Sequence, residues 1–431
     1  MGLNVAYKGQ QIAQLTEDGN LTLETAGKYC EDDIELVYSG GGSQNPVAVE
    51  DDVIFIDYDG TIRYSYSTAE FLALTEMPPN PVHSGLTAQG WNWTLAGAKA
   101  FVATHKFLVV GQSYITTDGA TKIYVNIPID NATPLLGIGL NGSAKVSWGD
   151  GSSEDITGAS DKKQTFAHTF ANAGDYCISI KVNSGSIYLK NRALLAKVAN
   201  ENDSQNLLYY DRISKVEVGN NCILNTGFAR HMHGLKTITL PTGCVPSDSG
   251  SNTDFFASTY SLKAVVFPFA SQAISLGNYH FDGSFVHIVS IPEGVISLGT
   301  GFLRQCYALK RTNIISDWIS FTCNNNTMIS RIAISGSPTA FSGEVFNNCS
   351  QILSLTVPST VETLGNKALR NLHSLQEIYF TSSVPPTAQA SDTFQNLPAD
   401  CVIHVPSGSL SDYIIATNYP DPNTYTYVED E

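Results

Sequence analysis

Apolar and polar residues alternate in short runs along most of this chain, the period-two pattern of strands with one buried face. "NVAYKGQQIAQL" and "IELVY" near the start follow it, with turn chemistry in "TEDGN" between them. Ser39-Gly40-Gly41-Gly42-Ser43 then reads as a flexible linker. In "TIRYSYS", Ile62, Tyr64 and Tyr66 share a face, and later Tyr176, Ile178, Ile180 and Val182 do the same. Helical signals are few. Ser67-x-x-Glu70 is a capping-box pattern that opens a short helix through Phe71 to Leu74, stopped by Met77-Pro78-Pro79. A second helix is expected over Leu95 to Val102.

From about residue 213 a longer period is superimposed on the alternation. The short apolar strands "KVEV", "TITLP", "AVVFP", "IVSIP", "RTNI", "RIAI", "SLTVP" and "EIYF" recur every 20 to 27 residues. Between them lie units such as "AFSGEVFNNCSQIL" and "TVETLGNKALRNLHSLQ". Each holds an apolar residue, a Gly, then Phe or Leu, a polar turn and a Leu. One strand with one loop cannot bury its own apolar face, whereas a stack of about eight can, which predicts a solenoid.

Composition narrows the function classes. Forty acidic residues face 24 basic ones, a net charge of −16, and Lys and Arg are scattered singly. That balance argues against nucleic acid and anionic membrane as partners. No run approaches the length of a membrane span, and "MGLNVAYKGQQIAQL" lacks the pattern of a signal peptide. The eight cysteines form no C-x-x-C pair and read as buried thiols, not as a metal site or a disulfide framework.

One stretch invites an enzymatic reading. "VIFIDYDGTI", residues 53–62, resembles the opening motif of haloacid-dehalogenase-type phosphatases. The resemblance implies Asp57 as nucleophile, Asp59 as acid–base and Asp150 in "VSWGDGSSED" as a metal ligand. Such an enzyme needs a parallel sheet with helices between strands. Here an alternating strand and Pro78, Pro79 and Pro81 follow instead. A hairpin with a positive φ at Gly60 is therefore expected, and neither catalytic residues, metal nor cofactor. "DGSSED" lacks EF-hand spacing, and His231-x-His233 is isolated. Trp91 and Trp93 in "GWNWT" are the candidate ligand-contact residues, as exposed rings for sugar stacking.

Three further resemblances bear on function. Trp148-Gly149-Asp150-Gly151, His168-Thr169-Phe170 and Gly174-Asp175-Tyr176 occur in the order of a PKD-type immunoglobulin-like sandwich, which implies binding or spacing. The repeats, with the closing "VIHVPSGSLSDYIIATNYP", resemble BspA-like leucine-rich repeats ending in a short helix from Ser409. The opening "AYKGQQIAQL" and "LTLETAGKYCEDDIELVY", with "IDYDGTIRYSYSTAEFLAL", resemble modules of minor structural proteins of phages.

The expected fold is thus mainly β and multidomain. It comprises an attachment module over 1–38, a linker over 39–46, a mixed α+β module over 47–128, a PKD-like sandwich over 129–190 and a solenoid over 205–431. The expected function is a non-enzymatic tail-tip or baseplate receptor-binding protein of a virion, assembled in the host cytoplasm. It would be a homo-oligomer, with a trimer one option, that contacts other tail proteins and a host surface glycan or protein. A bacterial BspA-like surface adhesin is the alternative.

Overall fold

The computed structural model describes the strands Gly2–Tyr7, Gln10–Leu15, Leu21–Leu23 and Ile34–Ser39, and residues 52–189, 194–197, 207–225, 227–244, 254–270, 274–315 and 323–430. The chain divides into two compact units, Met1–Glu50 and Asp51–Glu431. In the first, the four strands form one antiparallel sheet in the order Leu21–Leu23, Gln10–Leu15, Gly2–Tyr7, Ile34–Ser39. The expected turn at 16–20 and the Gly/Ser run after Ser39 lie outside the described residues.

The second unit opens with a four-stranded sheet ordered Ile62–Tyr66, Val53–Ile56, Leu108–Thr116, Leu86–Trp91. Val53 to Ile56 are wholly buried, which explains their unbroken apolar run. Residues 57–61 form a hairpin turn. The Asp57 N–H donates to the Thr61 carbonyl (2.9 Å), and the Asp59 carboxylate accepts from the Thr61 N–H (2.9 Å). Gly60 has φ 88°, which a side chain would resist. The chain returns antiparallel after Gly60, and Val53–Ile56 pairs on its other side, parallel, with the start of Leu108–Thr116. Thr68–Ala73 is helical and carries both hydrogen bonds of the capping box between Ser67 and Glu70. It ends at Leu74, before the prolines. Leu95–His105 forms the second helix, opened by Thr94 and closed by Lys106 in the left-handed region.

The segment expected as a sandwich differs from that expectation. Thr121–Ile127, Leu135–Ser147, Ser153–Ala167 and Gly174–Leu189 lie in a single antiparallel sheet, which continues into the repeats. The physical reason is an open edge. Thr121–Ile127 has unpaired backbone groups on one side, and the first repeat strand, Ile213–Glu217, pairs antiparallel with it. The motif residues still pack locally. Trp148 stacks on His168 (4.5 Å between ring centres, 9° between planes), and the His168 Nε2 meets the Asp150 carboxylate at 2.7 Å.

The repeats stack as parallel strands. Ile213–Glu217 pairs with Thr237–Thr239. Ala264–Val266, Ile288–Ser290, Arg311–Ile315 and Arg331–Ser335 form a second ladder. Ser354–Val357, Glu377–Phe380, Val402–Pro406 and Thr426–Asp430 form a third. Two features go beyond the sequence pattern. Most rungs carry a second short strand, as in Ile274–Leu276 with Val295–Leu298 and in Ala340–Phe341 with Thr363–Leu364 and Thr387–Ala388. The helix Leu410–Ile414 is followed by another strand, Thr426–Asp430. One buried apolar cluster runs from the 121–189 sheet through the repeats to Tyr413. Six of the seven described cysteines are buried within it, and all seven thiols are free. The Cys306 and Cys349 thiols donate to carbonyls of the preceding rung.

Candidate functional site

The outward side of the repeat strands is the natural place to seek a binding surface, but the early rungs do not offer it. The module of residues 52–116 lies on them. The fully buried Asn92 donates to the Phe267 carbonyl and the Ser290 hydroxyl (both 2.9 Å) and accepts from the Gly111 N–H (2.8 Å). Ser290 in turn donates to the Val109 carbonyl (2.9 Å). Outward-facing Ala264, Val266, Ser290 and Ala333 are buried as a result. A side chain at Gly111 would collide with Val266.

Trp91 and Trp93 belong to this contact region, which corrects the expectation that they are exposed. Trp91 is 7% and Trp93 6% exposed, and their indole N–H groups donate to the carbonyls of Pro78 (2.7 Å) and Ile291 (2.9 Å). A large ring with one polar atom is readily buried once that atom finds a partner.

The acidic candidates are also accounted for by packing. Asp57 is wholly buried and meets Arg63 (2.8 and 2.9 Å) and His83 (2.7 Å). Tyr58 and Tyr114 pack edge-to-face beside it, and burial together with the Asp57 charge pushes the Tyr114 hydroxyl far up from its ordinary value. Asp59 holds the turn. Burial pushes the Asp150 carboxyl up, but hydrogen bonds from Ser152 and His168 outweigh it and bring it down to about 2. Among the described residues, no group of three or more His, Cys, Asp or Glu is placed to hold a metal ion.

The side of the solenoid bearing its turns carries a feature that sequence reasoning missed. One position recurs in the left-handed conformation from rung to rung: His231, Ser258, Gly283, Gln305, Asn325, Asn348, Asn371 and Asn396, with φ from 57° to 68°. Its N–H donates to the next rung, as Ser258 does to the Asp282 carbonyl (2.9 Å) and Asn348 to the Arg370 carbonyl (3.1 Å). Asn tolerates this conformation better than most residues. In the later rungs the asparagines also bond side chain to side chain, at 2.6 Å for Asn348 to Asn325 and for Asn371 to Asn348, and 2.7 Å for Asn396 to Asn371.

Two residues after each left-handed position the chain is at the surface. There the early rungs present aromatic rings: Tyr260 is 52%, Phe285 44% and Tyr307 40% exposed. Tyr260 and Phe285 are 5.6 Å apart, Phe285 and Tyr307 6.2 Å, and His233 stacks on Tyr260 at 4.6 Å. Together with Ser258, Gly283 and Gln305 the three rings line an open groove. None of these six residues is charged. Asp282 and Arg304, next in sequence to Gly283 and Gln305, close on each other in a two-point pair (2.8 and 2.5 Å), and His233 beside Tyr260 meets Asp211 (3.2 Å). The later rungs put Thr327, Ser350, His373 and Pro398 at the corresponding positions. The signal was present in "STYSL", "GSFV" and "QCYAL", where an aromatic residue stands between two buried positions of the repeat.

Comparison with known proteins identifies the repeats. Residues 250–324 and 275–398 match the BspA-type leucine-rich-repeat region, in six copies. No curated protein matches the sequence. Among solved structures, the chain is similar to a leucine-rich repeat protein from Bacteroides ovatus, with 16% identity, 50% of this chain covered and a TM-score of 0.29. It is also similar to the pneumococcal vaccine antigen PcpA, with 14% identity, 48% of this chain covered and a TM-score of 0.30. It spans 65% of the length of each. Residues 250–398 thus match BspA-type leucine-rich repeats, within a mainly β chain whose carboxy-terminal part is a β-solenoid.

Proposed function

We propose that this chain is a non-enzymatic adhesion protein that presents its solenoid to a cell surface. The observation that carries this reading is the row Tyr260, Phe285 and Tyr307, three large rings left exposed side by side on successive repeats. An exposed apolar patch rimmed by polar groups is characteristic of an interaction site. In the finer form of the proposal, the chain belongs to a phage tail tip or baseplate, is assembled in the host cytoplasm, and binds a host glycan or protein. The Met1–Glu50 unit would attach it to other tail proteins as part of a homo-oligomer, and the PKD-like segment around Trp148 and His168 would act as a spacer. A second reading, a bacterial surface adhesin, is favoured by the BspA-type repeats themselves.

Immunogold labelling of purified particles and of intact cells distinguishes the two. Label on the tail tip is expected, and label confined to the cell envelope would assign the chain to the second reading. Adsorption of the full chain to cells tests adhesion itself, and its failure on every cell type the parent particle adsorbs to would refute both. The non-enzymatic part has its own test. Mg²⁺-dependent turnover of a generic phosphate ester, lost in Asp57→Asn, would overturn it.

A further inference from the structure

We propose that the groove between Ser258–Gly283–Gln305 and Tyr260–Phe285–Tyr307 binds a neutral oligosaccharide laid across three rungs. This rests on the adhesion reading and adds to it the chemistry of the ligand.

Folding does not account for the rings. The same position in later rungs holds Thr327, Ser350, His373 and Pro398, so stacking of the repeats proceeds without a Phe or Tyr there. Their exposure therefore calls for a ligand. Charge then limits its class. The groove is lined by uncharged residues, Asp282 and Arg304 cancel beside it, and the chain as a whole carries −16. A phosphate- or sialate-bearing ligand would approach against the field of the protein with no cation in the groove to receive it.

What the groove does offer is a row of aromatic rings, edge-to-face at Tyr260–Phe285 (87°) and tilted at Phe285–Tyr307 (55°), alongside neutral hydrogen-bonding groups. The Ser258 hydroxyl, the Gln305 amide and the hydroxyls of Tyr260 and Tyr307 make no side-chain hydrogen bond among the described residues. A sugar ring has the complementary make-up, a C–H face that packs on an aromatic ring and a rim of hydroxyls that bond to neutral side chains. Rings repeating at 5.6 and 6.2 Å along the stack address a chain of sugars, since a single one would touch a single rung.

The test uses the full chain. Its retention is measured on an array of neutral, sialylated and phosphorylated glycans, and its adsorption to cells with and without periodate oxidation. Retention on neutral glycans and loss of cell binding after periodate are expected. Tyr260→Ser and Tyr307→Ser should each weaken binding about tenfold, the scale of one lost aromatic contact. Tyr379→Ser, on the solenoid's strand side, should leave it unchanged. Circular dichroism melting confirms that the variants fold. Retention on anionic glycans alone, or no retention on any glycan, overturns the proposal. So does cell binding that survives periodate and both groove variants, although adhesion then stands. Self-association of the wild-type chain that disappears in Tyr307→Ser would assign the groove to a second copy and overturn it equally.

Discussion

The early and late rungs of the solenoid share one backbone plan and use their surfaces in opposite ways. From Ala264 to Ala333 the outward side of the strands is buried under the 52–116 module, and the turns carry aromatic rings. From Ser354 onward that module no longer covers the strand side, and the turns carry an asparagine ladder with His373 and Pro398 in place of the rings. Where one surface is closed by packing within the chain, the exposed apolar residues gather on the other. A solenoid fixes its frame through stacking, so its surfaces can diverge independently from rung to rung.

The largest expected effect comes from opening the covered side. Asn92→Leu removes a residue that satisfies three buried groups at once, and each unsatisfied group costs about 1–3 kcal/mol. We expect a stability loss of about 3 kcal/mol or more, seen as a lower urea midpoint. If the loss is no larger than for an exposed residue, the module is not held by this contact.

Acid should separate the two halves next. His280 is fully buried among Phe255, Phe267 and Phe302, and burial pushes its imidazole down to about 3. The unfolded chain takes up that proton near the ordinary value of about 6.5, and the folded chain does not. Stability from neutral His280 is therefore complete above about pH 6.5 and declines as pH falls toward 3. In His280→Phe the slope of melting temperature against pH over this window should flatten. An unchanged slope would assign acid sensitivity elsewhere.

The ladder of the late rungs gives a smaller effect. Asn348→Ala keeps a left-handed backbone without the amide that suits it, at a cost of about 2 kcal/mol by thermal or urea denaturation. Asn348→Gly should cost less, because glycine accepts φ 63° freely. Equal losses would show that the amide bonds, not the backbone, carry the effect. Smallest of all is Thr356→Ala, an exposed residue on the strand side, expected within about 0.5 kcal/mol of wild type.

The cover itself was legible in the residues. "AVVFP" is apolar without interruption, as befits a strand buried on both sides, and "IVSIP" is broken only by Ser290, whereas "SLTVP", "EIYF" and "VIHVP" alternate. The hairpin at Gly60 and the capping box at Ser67 were equally plain, because their determinants lie within a few residues. What could not be read was pairing at long range. The partners of Asp57 lie 6 and 26 residues away, and those of Asn92 lie 175 and 198 away. The same distance hid the continuation of the 121–127 strand into Ile213–Glu217. Local sequence does not show that Trp91 packs on Phe55 and Tyr64 inside its own module while Trp93 reaches Ile291 of the solenoid.

The last strand of the stack, Thr426–Asp430, has a further consequence. It pairs on one side with Val402–Pro406 and on the other with no described strand. Asp430 is tied to His404 (2.8 Å) and Glu429 to the N–H of Leu410 (3.1 Å). A second solenoid seeking to extend the ladder would meet a margin carrying two carboxylates, and its own equivalent margin would repel it. At the other end, Ile213–Glu217 is already paired with Thr121–Ile127. One end of the stack is therefore closed by pairing within the chain, and the described edge at the other carries two carboxylates that disfavour edge-to-edge addition of a second copy.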